Sequence, residues 1–383
     1  MTTKENITNQ IKNYAINLGF DLVGVTPAKF NDEGNYFVRW LNEGYAGEMK
    51  YLERNSRKRV NIEEVLPNAK SVISCAINYN TDYPYSTNLK DKKKGWIARY
   101  AWGDDYHSVL IEMLNKLKNY LISLYDEGIG LKAYVDTGPV LEKVFSEKAG
   151  VGWIGKNTCL INQEMGSWLL IGEIITDIEL KYDSKAVDRC GSCTRCIDAC
   201  PTDAIVKPYV LDSRKCISYL TIELKDKIPV ELREGLDNNV FGCDICQDVC
   251  PWNSKATVTE VENFQPRVNL FNPDLEYLLN LKQGEFSREF KNSPIKRTKR
   301  KGLIRNVLVA MGNSRNRDFT PYIERMLNDE EPLIRIHAVW ALWKIEGVNF
   351  LYKLKELKEV EENSEVLEEI SYILDLKNKE GAN

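Results

Sequence analysis

The chain has 383 residues, of which 43% are hydrophobic and 28% charged, and its formal net charge is −4. Such a length is too great for one compact core and predicts two or three domains. The acidic balance excludes a general electrostatic attraction to nucleic acid, so binding of that kind needs a local basic patch. No apolar run reaches the roughly 18–20 residues that cross a membrane. The sequence opens with neither a signal peptide nor a twin arginine, so we expect a cytoplasmic protein without a membrane partner.

Residues 1–185 alternate helical and strand patterns, which predicts an α/β domain. An amphipathic helix around Ile7, Ile11 and Leu18 is stopped by Gly19, and further helices are predicted near 34–53, 105–126 and 139–149. Four apolar stretches predict strands: FDLVGVTP, SVISCAINY, LKAYVDTG and WLLIGEIIT. The region contains neither GxGxxG nor a P-loop, which argues against a Rossmann or Walker nucleotide site.

The C-terminal part has a different pattern. Residues 186–255 hold most of the cysteines, 256–289 form a proline-bearing connector, and 290–383 are predicted to be wholly helical. In this tail IRNVLVAMGN and IRIHAVWALWKI recur at a spacing of about 30 residues, and each is followed by a second helical stretch. Two-helix units at this spacing predict an all-α domain of HEAT-like repeats.

The cysteines carry the strongest signal. Eight of the ten fall between Cys190 and Cys250, and disulfides are not expected in a reducing compartment. The run CGSCTRCIDACP spaces four of them by two, two and three residues and ends in proline, and CDICQDVCP repeats the motif. Cys75 and Cys159 lie in apolar stretches instead, where a buried small hydrophobe is the expected role.

A cubane 4Fe–4S cluster needs four thiolates, and in ferredoxin-like runs the fourth cysteine binds the other cluster. The spacing therefore predicts two crossed ligand sets, of Cys190, Cys193, Cys196 and Cys250, and of Cys216, Cys243, Cys246 and Cys200. Structural zinc is the alternative, because it also uses paired CxxC motifs, but it does not need the longer run.

Clusters alone fit a ferredoxin-like electron carrier, yet a carrier needs neither a large α/β domain nor a helical tail. We therefore expect a cofactor or substrate site in the first 185 residues. Asp136 ends a predicted strand at a turn to a helix, where ligands bind in α/β sheets, and helix capping is the alternative role. The glycines of GVGWIGKN indicate a loop lying against a large flat ligand.

A basic stretch, KNSPIKRTKRKGLIR, spans Lys291 to Arg305, with seven basic residues among fifteen and no acidic one. It predicts a phosphate-bearing partner, and a solvated face is the alternative. The chain has two histidines. His107, in the first turn of a predicted helix, is expected to pack or cap, and His337 is expected to be structural.

Several segments together resemble the epoxyqueuosine reductase family: DTGPVLEK, AGVGWIGKN, GSWLLIGEIIT, CISYLTIELK and FGCDICQDVCPWN, with the eight cysteines. The resemblance covers essentially the whole chain. It implies a cobalamin-binding catalytic domain, a ferredoxin-like domain with two 4Fe–4S clusters, and a HEAT-like domain that binds tRNA. The implied activity reduces the epoxide of epoxyqueuosine at the wobble position of tRNA anticodons, with electrons from a donor such as a ferredoxin or flavodoxin. A reductive dehalogenase is the alternative, but those enzymes usually carry a twin-arginine signal and lack such a tail.

The resemblance also implies roles for individual residues. Asp136 matches the proton donor and contacts the cofactor, and the other positions matching cobalamin contacts are Arg59, Ala98, Leu160, Ile171 and Ser218. The cations that would meet tRNA phosphates are Arg297, Lys299, Arg300, Lys301 and Arg305. Three aromatic residues, Trp96, Trp102 and Tyr106, could stack on an anticodon base, with core packing as the alternative.

One motif bears on how cobalamin would bind. Histidine-ligated cobalamin usually uses an Asp-x-His-x-x-Gly loop, whereas here Asp105 and His107 are followed by Leu110 in the glycine position. We therefore predict that the lower cobalt ligand is not a protein histidine.

Overall fold

The computed structural model describes residues 3–29, 32–125 and 128–380. The chain divides into two compact units whose segments interleave along the sequence. We call the first the sheet unit (Met1–Tyr85, Gly103–Arg214 and Ile245–Gln265) and the second the helical unit (Ser86–Trp102, Lys215–Asp244 and Pro266–Asn383). These units do not follow the boundaries predicted at 185, 255 and 289.

The secondary structure is mainly helical. In chain order the α-helices are α1 (Thr3–Asn17), α2 (Glu33–Asn42), α3 (Lys50–Arg54), α4 (Ser56–Val60), α5 (Tyr106–Leu124), α6 (Glu142–Lys148), α7 (Arg195–Asp198), α8 (Val230–Arg233), α9 (Ile245–Asp248), α10 (Leu275–Leu279), α11 (Gln283–Glu289), α12 (Lys299–Ser314), α13 (Thr320–Met326), α14 (Pro332–Glu346), α15 (Leu351–Val360) and α16 (Ser364–Glu380). The strands are β1 (Leu22–Pro27), β2 (Ser71–Asn78), β3 (Trp96–Ile97), β4 (Leu131–Tyr134), β5 (Trp153–Ile154), β6 (Leu160–Ile161), β7 (Leu169–Thr176), β8 (Ile205–Lys207), β9 (Val210–Leu211) and β10 (Asn239–Phe241).

A four-stranded sheet of order β1-β2-β7-β4 forms the centre of the sheet unit. All four predicted strands are present, and every pair is antiparallel, with Ile73 of β2 opposite Val25 of β1 and Ile174 of β7. The predicted α/β class, which implies mainly parallel strands, is therefore wrong in this respect. Alternating helices and strands along a sequence do not fix strand direction, because a helix can also connect antiparallel neighbours.

Helices cover both faces of this sheet. On one face the buried leucines of α5 pack against β7, where Gly172 makes room, because a Cβ there would come within 2.9 Å of Leu114. On the other face Phe145 of α6 packs with Val72 and Ile175. Since successive strand residues point to opposite faces, β7 contributes to both layers.

The predicted helices differ from the observed ones in their ends. The helix expected near 34–53 is interrupted between α2 and α3, where Gly44 and Gly47 have φ values of +71° and +57°, left-handed conformations that end a helix. The helix expected at 105–126 is α5, and Asp126 lies outside the described residues. The helix expected at 139–149 is the shorter α6.

In the helical unit α12 packs on α14, and α14 packs on α16. The shorter helix α13 comes after α12 in the sequence, and α15 comes after α14. The two predicted helix pairs therefore occupy the expected positions. The unit also contains a parallel pairing of β3 with β10. Among the described helices, none combines the length and apolar character needed to cross a bilayer.

Candidate iron–sulfur ligands and active site

Four cysteines of the sheet unit line one cavity of about 280 Å³: Cys190, Cys193, Cys196 and Cys250. They are the four that crossed ligation assigns to a single cluster. Burial, and then the neighbouring thiols Cys250 and Cys190, raise the pKa of Cys196 to about 11. The gathering of three thiols from one run with the last thiol of the other supports the first predicted ligand set.

The cavity has a cationic and aromatic wall. Lys156 is buried, and its Nζ donates hydrogen bonds to the carbonyl oxygens of Gly191 at 2.6 Å and Cys193 at 2.9 Å. Arg189 and Arg195 also line the cavity. Trp153 and Trp252 meet edge to face beside it, with ring centroids 5.1 Å apart. These cations lie where they would offset the negative charge of a thiolate-ligated cluster.

The second predicted set is divided between the units. Cys200 and Cys246 belong to the sheet unit, whereas Cys216 and Cys243 belong to the helical unit. In the helical unit the two cysteine segments are linked, because the N–H of Gly242 donates to the Thr221 hydroxyl at 2.9 Å. In the sheet unit the N–H of Ala204 donates to Cys200 Sγ at 3.3 Å, a bond that ligand sulfurs commonly receive. The joint ligand set stays a prediction.

Cys75 is fully buried, as predicted, but Cys159 is not merely a small apolar residue. The neighbouring Cys246 thiol, against the effect of burial, lowers the pKa of Cys159 to about 7. Nothing in the local sequence of Cys159 marks this proximity.

Asp136 follows β4 in a left-handed conformation, with φ +56°. Its N–H donates to Glu142 Oε1 at 2.6 Å, and its Oδ2 accepts a hydrogen bond from the Tyr106 hydroxyl at 2.9 Å. The helix that follows begins at Glu142 with Leu141 as its N-cap, so Asp136 does not cap it. The carboxylate is 56% exposed and is available to a ligand on its open side.

His107 lies between two carboxylates. Its Nδ1 is 2.7 Å from Oδ1 of Asp105, the N-cap of α5, and its Nε2 is 3.5 Å from Oδ2 of Asp136. Burial lowers the pKa of His107, but the hydrogen bond with Asp105 and the nearby carboxylates of Asp105 and Asp136 outweigh it and raise the pKa to about 9. The sequence predicted packing or capping for His107 and missed its position beside Asp136, because β4 and α5 are brought together only by the fold.

Two further acids and one base surround this group. Burial, followed by the charge of Asp136, raises the pKa of Glu142. Glu173 on β7 is 0% exposed with no hydrogen-bond partner for either carboxyl oxygen, and burial raises its pKa well above the usual range. Burial lowers the pKa of Arg59, against the charges of Glu142, Tyr51 and Asp136. Asp136 is thus one of the charges that act on Arg59, and a shared cofactor site for the two residues stays a prediction.

The remaining predicted cofactor contacts fall in both units. Leu160 and Ile171 belong to one apolar cluster of the sheet unit. Ala98 and Ser218 belong to the helical unit, where the N–H of Ala98 donates to the Phe241 carbonyl at 2.7 Å and Ser218 precedes a π-helix, Tyr219–Glu223. A Cβ on Gly242 would come within 2.5 Å of the Ala98 side chain. Position 242 therefore needs glycine, and position 98 needs a small residue.

The predicted phosphate contacts need one correction. Arg305 is 0% exposed, and its guanidinium donates to the carbonyl oxygens of Leu220, Leu224 and Asp226, so it does not face a partner. It anchors the end of the π-helix instead.

The other cations of the stretch lie nearer the surface. Three are paired with acids, Arg297 with Glu223 at 2.7 Å, Arg300 with Asp329 at 3.5 Å and Lys301 with Glu331 at 3.3 Å. Lys299 is exposed and has no ion-pair partner within the part of the chain that the structure describes. Phosphate binding by these four residues stays a prediction.

Two of the three aromatic residues predicted as possible stacking platforms are core residues. Trp96 and Trp102 are 1% and 0% exposed, and they donate from their indole N–H groups to Asp244 and to the Ile97 carbonyl. The packing alternative therefore holds for both. Tyr106 remains partly exposed next to Asp136.

Comparison with known proteins agrees with this arrangement. Residues 189–253 match a family model described as "4Fe-4S double cluster binding domain", and residues 59–137 match one described as "Epoxyqueuosine reductase QueG, DUF1730". The double-cluster match favours iron–sulfur over the zinc alternative.

Similar proteins cover most of the chain. The epoxyqueuosine reductase of Vibrio cholerae is 38% identical over 345 residues, which cover 88% of this chain and 92% of that protein. The epoxyqueuosine reductase of Escherichia coli is 38% identical over 343 residues, 88% of this chain and 89% of that protein. A crystal structure of epoxyqueuosine reductase with an epoxyqueuosine-modified tRNA stem loop has a TM-score of 0.89 at 32% identity, over 97% of this chain and 98% of that one.

Proposed function

The chain belongs to the epoxyqueuosine reductase family, and we propose from this premise that it reduces the epoxide of epoxyqueuosine in tRNA to the alkene of queuosine. The overall conversion takes up two electrons and two protons and releases one water. The observation that carries the proposal is the presence, in one unit, of a four-cysteine cavity for an electron carrier and of the Tyr106–Asp136–His107 group for protons. A ferredoxin-like carrier would need only the first.

The matched double-cluster domain supplies the electron path. We assign one 4Fe–4S cluster to Cys190, Cys193, Cys196 and Cys250, and the second to Cys200, Cys216, Cys243 and Cys246. A ferredoxin or flavodoxin is the kind of protein that would deliver the electrons. Lys156 holds the loop of the first cluster through its two carbonyl hydrogen bonds.

We propose cobalamin as the group that receives these electrons, and features of each unit support it. In the sheet unit, Arg59 keeps its Nε buried without a partner, and Leu160 and Ile171 offer apolar surface. In the helical unit, Ala98 packs against Gly242, and Ser218 lies at the start of the π-helix; their contact with cobalamin is what the family resemblance implies. When bound, cobalamin supplies a strongly reducing centre for opening the epoxide. His107 is held by Asp105, which supports the prediction that it is not a cobalt ligand.

The residues of this chain provide the proton chemistry. Ring opening leaves negative charge on the epoxide oxygen, and Asp136 is the group we assign to protonate it. The Tyr106 hydroxyl fixes Oδ2 of Asp136, and Glu142 fixes its backbone N–H, so the carboxyl group is held in one orientation. Lys299, with the outer parts of Arg297, Arg300 and Lys301, would hold tRNA phosphates, which position the RNA without reading its sequence. We further propose that the helix pairs carrying these cations are HEAT-like repeats. We also propose that the protein works in the cytoplasm, where tRNA is found.

The direct test uses the purified protein loaded with iron, sulfide and cobalamin, an epoxyqueuosine-containing stem loop and a chemical reductant. We expect the modified nucleoside to lose one oxygen atom, as measured by mass spectrometry after digestion. A protein with full cluster and cobalamin content that leaves the nucleoside unchanged would contradict the proposal. The same stem loop carrying queuosine is the control, since it has no epoxide to reduce.

A further inference from the structure

The proposed function requires a proton donor at neutral pH, and the exposure of Asp136 makes this a problem. An aspartate carboxyl in contact with water normally gives up its proton well below neutral pH. The Asp136 side chain is 56% exposed, so burial does not supply the protonated form. The proton must therefore be kept close to Asp136 by another group.

His107 is placed to keep it. Its Nε2 lies 3.5 Å from Asp136 Oδ2, is buried, and makes no well-formed hydrogen bond in the structure. The other nitrogen, Nδ1, is fixed at 2.7 Å from Asp105, and the ring stacks on Tyr106 with centroids 4.1 Å apart. The imidazole is thus held in one orientation with one nitrogen directed toward the catalytic carboxylate.

The surroundings favour the protonated ring. The titratable and charged groups that face the pair are Asp105 and Tyr106 on the α5 side, Glu142 on α6 and Arg59 on α4. The carboxylates of Asp105 and Asp136 lie next to the two ring nitrogens, and two anions beside one imidazole stabilise its cation. The pKa of about 9 for His107 agrees with this arrangement and keeps the ring charged at neutral pH.

We propose that His107 is a positioning residue that supplies, through Asp136, the protons used in epoxide reduction; this inference rests on the proposed function. As the C–O bond breaks and two electrons enter the substrate, the imidazolium proton moves from Nε2 to Oδ2 of Asp136, and Asp136 passes that proton to the epoxide oxygen. The neutral ring then takes a proton from water. The same route delivers the second proton as the hydroxyl group leaves as water and the carbon–carbon double bond forms. Asp105 holds the ring in place and stabilises its charge.

The first test is a pH profile of single-turnover ring opening, measured with fully loaded, pre-reduced protein and the epoxyqueuosine stem loop. For the natural sequence we expect a rate that falls as the pH rises through about 9, because His107 then loses its proton. In His107→Gln, which keeps hydrogen-bonding capacity but carries no exchangeable charge, the rate at pH 7 should fall by about a hundredfold. The limb near pH 9 should also disappear. A His107→Gln protein with the natural rate and profile overturns the proposal.

Asp105→Asn is the companion variant. It keeps a side chain able to cap α5 but removes one of the two charges on the ring. The alkaline limb should then move to lower pH while cluster content, cobalamin absorbance and stem-loop binding stay at natural levels. An unmoved limb contradicts the role given to Asp105 and His107.

A second measurement does not depend on turnover. The chain has only two histidines, and burial keeps His337 neutral, so NMR of ¹⁵N-labelled histidine rings can follow His107 alone through alkaline pH. We expect a titration near pH 9 that moves toward lower pH in Asp136→Asn. Titration near the ordinary value of about 6.5, unaffected by Asp136→Asn, overturns the coupling. Absence of any oxygen loss with the natural sequence would instead sink the proposed function and leave this titration as the test of the pair.

Discussion

The backbone of Asp136 adopts a conformation that residues other than glycine rarely take, and the structure supplies the reason. Its φ of +56° directs the N–H to Glu142 while the side chain meets Tyr106. The cost of a left-handed residue is of the order of 1–2 kcal/mol and persists only where the surroundings compensate for it. This strain lies at the residue to which we assign the chemistry.

Replacing Asp136 by asparagine keeps the size and the hydrogen bond from Tyr106 but removes the ability to pass on a proton. We expect turnover to fall by about two to four orders of magnitude, the usual range for a lost general acid. Iron content, cobalamin absorbance and stem-loop affinity measured on the same preparation should be unchanged. Loss of cobalamin from a folded variant would instead make Asp136 a residue that positions the cofactor.

From the burial of His337 we predict that the stability of the folded protein depends on pH, independently of catalysis. It is 0% exposed, its Nε2 accepts from the Ile228 N–H at 3.2 Å, and its Nδ1 faces the Leu333 carbonyl at 2.8 Å. Burial, and then the charges of Arg233 and Arg305, lower the pKa of His337 well below its usual range. The stabilisation is therefore complete above about pH 6.5 and is lost as the pH falls, by at most about 1.4 kcal/mol per pH unit.

The measurement is the urea midpoint of the helical unit followed between pH 5 and 7.5. His337→Gln retains a donor and an acceptor but does not titrate, so its midpoint should depend less on pH than that of the natural sequence. Equal slopes would show that other groups carry the acid sensitivity.

For individual residues, the sequence predicted those whose role is indicated by a local motif. The structure brings the four cysteines of the first predicted set to one cavity and lets the charge of Asp136 act on Arg59, while their roles as ligands and cofactor contacts stay predictions. Arg305 was wrongly predicted to meet phosphate, because a basic run does not reveal that one member is turned inward against carbonyl groups. His107 and Cys159 were missed, since their partners lie far away in the sequence.

Among the elements, the contact of α12 with α14 depends on one missing side chain. A Cβ on Gly312 would lie 2.6 Å from the ring of Trp340 and 3.0 Å from Cα of Ala341. We expect Gly312→Ala to destabilise the helical unit by about 1–3 kcal/mol, the range for overpacking a core. Gly284→Ala on α11 is the matched control, because nothing lies within 4 Å of its added Cβ. Gly284→Ala should stabilise the protein slightly. If the two variants shift the thermal midpoint by the same amount, the packing argument is wrong.

The loop that carries Cys190 and Cys193 depends on Lys156. Lys156→Met preserves the length of the side chain and removes its charge from the cavity wall. The reduced cluster carries one more negative charge than the oxidised cluster, so loss of a nearby cation should lower its reduction potential. An EPR-monitored redox titration would measure this shift, with the exposed Lys207→Met as the control. An unchanged potential in a variant with full iron content would show that Lys156 serves only to hold the loop.

The sequence predicted which segments form helices and strands better than it predicted how those segments pair and where they end. Apolar runs marked β1, β2, β4 and β7, but their antiparallel pairing depends on which strands become neighbours, and that depends on contacts between distant segments. The break between α2 and α3 could have been found from Gly44 and Gly47. No local sequence pattern predicts the π-helix Tyr219–Glu223. The carbonyl oxygens of Leu220 within the helix and of Leu224 at its C-cap accept hydrogen bonds from Arg305, a residue about 80 positions later in the chain.

For the whole molecule, a net charge of −4 means that tRNA, the partner we propose, would have to be attracted by a local cluster of positive charge. Lys296 and Lys299 are both exposed, whereas Arg300 also donates to the Leu281 carbonyl and contributes to folding. The double variant Lys296→Gln with Lys299→Gln should weaken stem-loop binding and reduce its salt dependence, by about one unit of logarithmic slope per lost phosphate contact.

The matched control is Lys355→Gln with Lys358→Gln, which changes the net charge equally at exposed positions of α15. Binding measured at several salt concentrations should distinguish the pairs. If both lower affinity alike, only the overall charge matters, and the basic stretch is a solvated face.

The chain also shows why linear boundaries could not be predicted from composition. The helical unit takes segments from three separate parts of the sequence, among them the stretch that carries Cys216 and Cys243. A composition change near residue 290 marks where helices become continuous, but it does not mark which earlier segments pack with them.

Because of this interleaving, Arg305 ties the C-terminal helices to an upstream segment of the same unit. Its guanidinium closes the end of the π-helix, and that helix directly follows Cys216 and Ser218. Exchange of everything after residue 290 would therefore also remove the hydrogen bonds that support this upstream segment. The last helix is tied to the same unit in another way, because Glu369 on α16 forms a buried ion pair with Arg233 of α8 at 2.6 Å. A change to α12 should therefore be felt in the cysteine-bearing stretch that it supports, and a change to α16 in the stretch around Arg233.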